Sequence, residues 1–211
     1  MDKKALYNLS YGLFCVTAED GGFKNGFISN TVMQITSTPL KIILGVNKQN
    51  KTHDMIANSG KFNVSILSEK CTMDIIKRFG FQSGRDVNKF DGFEDFKLSE
   101  NGLPYLTKGA NSVLSCKVTS SIDVGTHTLF FAEVTDTEVL NDEKSLTYAY
   151  YQSTLKNSGT KSEDKPKTEN SSGKHHWKCT ICGYIYEGDS LPEDFVCPLC
   201  KHGAEYFEQI D

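Results

Sequence analysis

Short apolar and alternating runs recur along the first 150 residues, separated by turn residues. YGLFCVTA (11–18) is rich in aromatic and β-branched side chains and reads as a strand. Asp20-Gly21-Gly22 is a turn signal. FKNGFISNTVMQITSTP (23–39) reads as the next strand, closed by Pro39, and KIILGV (41–46) as a third, buried one. In NKQNKTHDMIANSG (47–60), Thr52 is the expected N-cap of a short helix over 53–59, and Gly60 its stop. KFNVSIL (61–67) returns as strand, and CTMDIIKRFG (71–80) reads as a second short helix with its own glycine stop. Residues 81–104 carry glycine and charge with little periodicity and are expected to form a loop or lid. ANSVLSCKVTSSIDV and THTLFFAEVTDTEVL read as two long strands around Asp123–Gly125, and TYAYYQ (147–152) closes the domain. Frequent short strands with few helices predict a mainly β domain with short helices, rolled into a barrel.

The pattern then changes. Residues 156–176, KNSGTKSEDKPKTENSSGKHH, contain no large apolar side chain and are expected to be a flexible tether. A chain of that length spans about 25 Å on average. The remaining stretch, 177–211, is too short to bury a core of its own and needs another source of folding free energy. The expected division is therefore 1–155, a linker over 156–176, and a small module over 177–211.

That source is written into two Cys-x-x-Cys pairs, Cys179/Cys182 and Cys197/Cys200. Four thiolates at this double spacing converge on one metal ion, whose binding supplies folding free energy. On spacing alone a structural zinc ribbon is the commoner reading. The residues between and around the cysteines decide for iron. Cys-Thr-Ile-Cys-Gly-Tyr-Ile-Tyr, followed by Leu-Pro-Glu-Asp-Phe-Val-Cys-Pro-Leu-Cys, closely resembles rubredoxin over roughly 177–208. The resemblance puts Trp177, Tyr184, Tyr186 and Phe195 in an aromatic shell that keeps water from the iron. The chain departs from it in a short gap between the pairs and in Lys201, where the family usually has glycine.

Charge and cysteine count narrow the class. Net charge is −4, which disfavours a nucleic-acid partner. Residues 177–211 hold two lysines against seven carboxylates, so the module would be steered toward basic docking surfaces. Cys15, Cys71 and Cys116 remain, an odd number at unrelated spacings that does not form a disulfide framework. Cys15 and Cys116 fall in strand patterns and read as core thiols, whereas Cys71 near a helix start is a candidate low-pKa thiol. No apolar run reaches membrane-spanning length and no signal-peptide pattern is seen, so a cytoplasmic location is expected.

The first domain has no dinucleotide fingerprint and no phosphate loop. Residues 47–53, Asn-Lys-Gln-Asn-Lys-Thr-His, lie where a strand end meets a helix N-terminus, a place suited to a phosphate monoester. Taken alone, this stretch is more simply a solvated turn with a capped helix. SNTVMQITSTP (29–39), LGVNKQNKTHDMI (44–56), FNVSIL and VGTHTLFFAEV (124–134) together resemble the flavin reductase family over roughly 5–152.

That resemblance implies a split-barrel FMN-binding fold and a homodimer with the flavin near the subunit interface. It places Ser29, Asn30, Thr31, Gln34 and Thr36 along the isoalloxazine. It gives the FMN phosphate to Asn47, Lys48, Lys51, Thr52 and His53. Phe81, Arg85 and Lys89 are expected to approach from the lid. The family's Gly-Asp-His motif, which sets a histidine by the nicotinamide, reads Gly125-Thr126-His127 here, so His127 fits and the acid is replaced by Thr126.

A two-electron centre and a one-electron centre on one chain resemble the high-molecular-weight rubredoxins of anaerobic bacteria. The implied route runs from NAD(P)H through FMN to the iron, then to a redox protein such as a flavodiiron O2 or NO reductase. Two other readings stay open: a flavin reductase that releases reduced FMN, and an electron shuttle reduced by a separate enzyme.

Overall fold

The computed structural model describes residue 5 and residues 8–156, 175–179, 185–197 and 203–210. The chain divides into two compact units, Met1–Lys161 and Ser162–Asp211.

The first unit is built on one antiparallel seven-stranded sheet. Its strands are β1 (Phe14–Asp20), β2 (Phe23–Ser29), β3 (Val32–Ser37), β4 (Leu40–Asn47), β5 (Lys61–Leu67), β8 (Ala110–Asp123) and β9 (His127–Val139). A separate two-stranded ribbon joins β6 (Phe96–Leu98) to β7 (Pro104–Leu106). The large sheet runs in the order β2-β1-β5-β8-β9-β4-β3. Its two outermost strands, β2 and β3, are consecutive in the chain with only Asn30 and Thr31 between them. A sheet whose opposite edges are joined by two residues has to roll until those edges meet. The lining confirms the roll. Val16, Phe27, Leu44, Phe62, Cys116 and Phe130, from six strands, pack into one buried cluster. Helix α1 (Lys51–Ser59) adds Met55 and Ile56 to that cluster.

A second cluster sits against the outer face of β1 and β5. Cys15 and Leu67 meet Ile75, Ile76 and Phe79 of helix α2 (Met73–Gly80), with Phe90, Leu106, Leu146 and Tyr151. Alternation along β1 serves both layers: Val16 and Ala18 point into the barrel and Cys15 away from it. Buried Thr17 donates its hydroxyl to Pro104 O, tying the β6–β7 ribbon to the barrel. The unit closes with one helical turn, α3 (Tyr148–Tyr150), continued by a π-helical turn, Tyr151–Leu155.

Four local expectations are corrected. Residues 23–39 form two strands on opposite edges of the sheet, because the chain turns at Asn30–Thr31 where the barrel splits. The first strand begins at Phe14, three residues later than the apolar run. The N-cap of α1 is Asn50, whose Oδ1 accepts from Thr52 N at 3.1 Å, and Thr52 is already helical. Gly80 is the last helical residue of α2 and Phe81 its C-cap, in right-handed conformation. By contrast, Gly60 does end α1 at φ 66, with its N–H on Ile56 O.

The second unit carries a three-stranded antiparallel sheet, β11-β10-β12, from β10 (His175–Cys179), β11 (Ile185–Gly188) and β12 (Phe207–Gln209). Trp177 pairs across with Tyr186, and Cys179 with Phe207. Residues 157–174, which hold almost all of the expected tether, lie outside the described residues.

Candidate functional site

Residues 47–53 sit on the seam between β4, α1 and β9. Asn47 closes the β4–β9 ladder opposite His127. Its side chain accepts from Gln49 N at 2.9 Å, which turns the chain into α1. Lys48 N donates to Thr126 O at 3.0 Å, and Lys48 Nζ reaches Asp123 Oδ2 at 2.6 Å. The segment therefore shares a corner with the β8–β9 hairpin tip, where Gly125 takes φ 90 and donates its N–H to Asp123 Oδ1. The Lys48 hydrogen bond, followed by that of Gly125, holds the Asp123 carboxyl below its ordinary range.

The first turn of α1 carries the rest. Lys51 is the first helical residue, and a helix has no internal acceptor for its first N–H groups. Thr52 is fully buried, and its Oγ1 has no partner among the described residues. A buried orphan hydroxyl is costly in a folded chain, and a phosphate oxygen would satisfy it. His53 is already engaged. Its Nδ1 lies 3.1 Å from Asp54 Oδ1 and its Nε2 2.9 Å from Thr128 Oγ1. A carboxylate only accepts, so Nδ1 carries the proton. Arg85 arrives from the 81–104 segment, with NH2 on Asp54 Oδ2 at 2.7 Å and Nε on Gln49 O at 3.1 Å. The hydrogen bond from His53, then that from Arg85, lowers the Asp54 pKa.

The expected isoalloxazine residues line the split. Ser29 Oγ and Thr31 Oγ1 are 3.0 Å apart, and Thr31 Oγ1 donates to Gly45 O at 2.7 Å. A Cβ on Gly45 would lie 3.3 Å from Thr31 Oγ1 and 3.6 Å from Leu129 Cδ2, so this point of β4 is a notch that only glycine leaves open. Asn30 lies in the turn between the edges, and Gln34 Nε2 donates to Thr36 O at 3.3 Å on exposed β3. His127 opens β9, its Nδ1 2.9 Å from the Thr126 hydroxyl that stands where the family's acid would be.

Two expected lid residues lie elsewhere. Phe81 packs on the second core cluster. Lys89 is buried at 3 % exposure, and its Nζ donates to Gly26 O and Phe79 O, both at 2.9 Å. Burial pulls its pKa down to about 8. Cys71 is no low-pKa thiol, since burial pushes it up to about 12, as it does Cys116. Sequence reasoning passed over Gly45, Asp54 and Thr128. A glycine inside an apolar strand and an acid in a helix's first turn are the signals that pointed to the first two.

In the second unit, Cys179 and Cys197 are fully buried. Cys182 and Cys200 lie outside the described residues. Aromatic rings pack in a chain in the same unit: Trp177 and Tyr186 at 6.0 Å, Tyr186 and Phe195 at 4.5 Å, Phe195 and Phe207 at 5.3 Å. Buried cysteine sulfurs are donors suited to a soft or borderline metal.

A rolled antiparallel barrel and a small cysteine-bearing sheet on one chain define a class: a flavin-type oxidoreductase domain with a rubredoxin-like module. Comparison with known proteins agrees. The flavin reductase like domain matches residues 6–159. The rubrerythrin, rubredoxin-like domain matches residues 177–208. The chain belongs to the flavin reductase family and carries a rubredoxin-like domain at its C-terminal end.

It is 40% identical to the high molecular weight rubredoxin of Moorella thermoacetica, with all of both chains covered. It is 48% identical to the ferric-chelate reductase (NAD(P)H) of Archaeoglobus fulgidus, over 72% of this chain and 89% of that one. Its fold matches the crystal structure of a flavin reductase domain protein from Arthrobacter sp. with a TM-score of 0.62 at 20% identity, covering 69% of this chain and 87% of that one. The protein is an oxidoreductase, and its two domains together support flavin-mediated electron transfer.

Proposed function

We propose that the protein passes electrons from NAD(P)H through FMN to an iron ion held by Cys179, Cys182, Cys197 and Cys200, and on to an external redox protein. The observation that carries this reading is the union, in one chain, of a flavin reductase domain and a rubredoxin-like domain. FMN accepts two electrons as hydride and passes them on singly, and iron–thiolate centres turn over one at a time.

Thr52 Oγ1, the first N–H groups of α1 and the Lys48, Lys51 and Arg85 cations hold the phosphate. Asn47 shapes the turn that presents them. Asp54 fixes the His53 ring through Nδ1, and His53 ties α1 to β9 through Thr128. Ser29, Asn30, Thr31, Gln34 and Thr36 flank the ring system, with the notch at Gly45 giving it a flat approach. His127 orients the nicotinamide, its ring held by the Thr126 hydroxyl. Trp177, Tyr186, Phe195 and Phe207 keep water from the metal. We further propose the division 1–155, 156–176 and 177–211, with the linker as a tether.

A homodimer belongs to the same reading. The β4–β9 register puts Ile43 beside Phe131 and Gly45 beside Leu129 on the outward face, with Met33 of β3 opposite Ile43 and Ile122 of β8 opposite Leu129. Met33 and Ile122 are 62% and 52% exposed. An apolar outer face next to the flavin residues favours burial against a second copy. No helix among the described residues is long and apolar enough to cross a membrane, and Cys15, Cys71 and Cys116 are free thiols, which agrees with a reducing cytoplasm. The rubredoxin-like domain favours a redox-protein acceptor, and we place a flavodiiron O2 or NO reductase first among the candidates.

Anaerobic stopped-flow mixing with NADH and with NADPH tests the route. Flavin bleaching that precedes loss of the ferric–thiolate colour supports it, and iron reduction with no preceding flavin reduction overturns it. A second reading is that the first unit alone reduces small ferric chelates, favoured by the identity to the Archaeoglobus enzyme. A Cys197→Ser chain stripped of iron separates the two, because only the second reading keeps acceptor reduction at the parent rate.

A further inference from the structure

Asp123 is the last residue of β8, and its two carboxylate oxygens are divided between two tasks. Oδ1 accepts from Gly125 N at 2.8 Å and so shapes the hairpin tip, where Gly125 takes φ 90. Oδ2 accepts from Lys48 Nζ at 2.6 Å, at the head of the segment that runs into α1. The tip is fixed on its other side by Lys48 N, which donates to Thr126 O at 3.0 Å. Val124 N donates to His127 O at 3.0 Å and closes the tip onto the first residue of β9. Across the ladders, Asp123 stands opposite Thr128, and His127 opposite Asn47. One carboxylate is thus joined both to the segment of the proposed phosphate cations and to the turn that carries Thr126 and His127.

The two tasks are chemically distinct. Lys48 Nζ has three donors, so it can keep Asp123 and still reach a second anion. Its charge is nonetheless offset by the carboxylate 2.6 Å away, and an incoming phosphate meets both charges together. The turn needs an oxygen and not a charge. An aspartate or an asparagine side chain can accept from the N–H two residues on, and an alanine cannot. Gly125 has no side chain to restrict it, so the tip keeps its shape through these hydrogen bonds. The Asp123 side chain is 69% exposed, so replacing it disturbs no packing. Thr126 leaves the tip without the acid of the family's motif, and Asp123 brings a carboxylate to the same turn from the other strand.

We propose that Asp123 is a positioning residue for the reaction: it sets the hairpin tip so that His127 meets the nicotinamide, and it holds down the charge that Lys48 offers to the flavin phosphate. The inference rests on the function proposed above, which gives Lys48 to the phosphate and His127 to the electron donor. It requires opposite movements. Loss of the carboxylate strengthens flavin binding and weakens donor binding, whereas a merely loosened fold weakens both.

The test uses the full-length, iron-loaded chain. FMN is titrated into flavin-free protein at low and at high salt and read by flavin fluorescence. Anaerobic stopped-flow reduction of the FMN-saturated protein, over a range of NADH and of NADPH concentrations, gives the donor's apparent Kd apart from the limiting rate. Asp123→Asn keeps an acceptor for Gly125 N and loses the charge. It should bind FMN about threefold more tightly, the scale of one exposed ion pair, with the donor Kd unchanged. High salt should erase that gain. Asp123→Ala loses both functions. It should show the same gain for FMN and raise the donor Kd about fivefold, the value of one hydrogen bond. FMN affinity that is unchanged or weaker in Asp123→Asn overturns the control of Lys48. A parental donor Kd in Asp123→Ala overturns the positioning of His127. A parent chain that binds no flavin, or whose flavin neither donor reduces, fails the proposed function itself before any variant is compared.

Discussion

Asp54 and Arg85 meet at 2.7 Å over the first turn of α1 and join a segment with little regular structure to the end of the barrel. The same carboxylate holds His53, and His53 reaches Thr128, the neighbour of His127. One acidic side chain thereby links the lid, the helix and the strand that carries the proposed nicotinamide residue.

Asp54 should shape the acid limb of stability. Its pKa is lowered in the fold by His53 and Arg85. A carboxyl lowered in this way adds stability above its unfolded value, and that contribution is lost as pH falls through the folded value. Urea denaturation from about pH 6 down to about pH 3 should show a shallower loss for Asp54→Asn than for the parent. Equal slopes would remove the link between this carboxyl and the fold.

Lys89 predicts the opposite limb. Burial lowers its pKa from 10.5 to about 8. Between those values the unfolded chain binds more protons than the native one, so stability from this group rises with pH across that window. The full gain is on the order of 3 kcal/mol. Lys89→Met should abolish that rise in a denaturation series, and should also destabilise the protein by leaving Gly26 O and Phe79 O without their donor.

Thr52→Val separates folding from ligand binding. The parent hydroxyl is buried without a partner among the described residues, so an isosteric methyl should leave the flavin-free protein as stable or slightly more so. FMN affinity should fall about 10- to 150-fold, the value of one hydrogen bond to a charged group. Thermal melts and flavin-fluorescence titrations read the two effects, and an unchanged affinity would take Thr52 out of the phosphate site.

Gly84→Ala should cost about 1–3 kcal/mol, because the new methyl collides with the buried Asn25 amide and lifts the segment that bears Arg85. Chemical denaturation checks the cost. A stable variant with parental flavin affinity would show that the segment yields freely.

Iron removal should melt the second unit and spare the first. Among the described residues of the second unit only Cys179 and Cys197 are fully buried, so this unit depends on the metal for its folding free energy. Calorimetry of the Cys197→Ser chain should retain the barrel transition, with protein-acceptor reduction lost. Loss of both transitions together would show that the two units fold as one.

Local chemistry accounts for what could be read in advance. The β8–β9 hairpin, the Gly21-Gly22 turn and the Gly60 stop depend on neighbours a few residues away, and all three appear as expected. The N-cap was misplaced by two residues because Asn50 and Thr52 are both good capping types, and only backbone geometry selects Asn50. Lys89 looked like a lid cation because nothing near it in the chain announces a buried lysine. Its partners, Gly26 O and Phe79 O, are brought to it by packing of α2 on β2.

The amino-acid order alone determined the alternation that makes strands, the glycines that end elements, and the paired cysteines with their aromatic neighbours, since each rests on interactions within a few residues. The tertiary structure decided that residues 23–39 part into the two edges of a rolled sheet. It decided that Thr52 keeps a buried hydroxyl with no partner among the described residues, and that Asp54 gathers Arg85 and His53. Those outcomes depend on which distant segments the closed barrel presses together, and chain closure is a property of the whole sheet that no local pattern encodes.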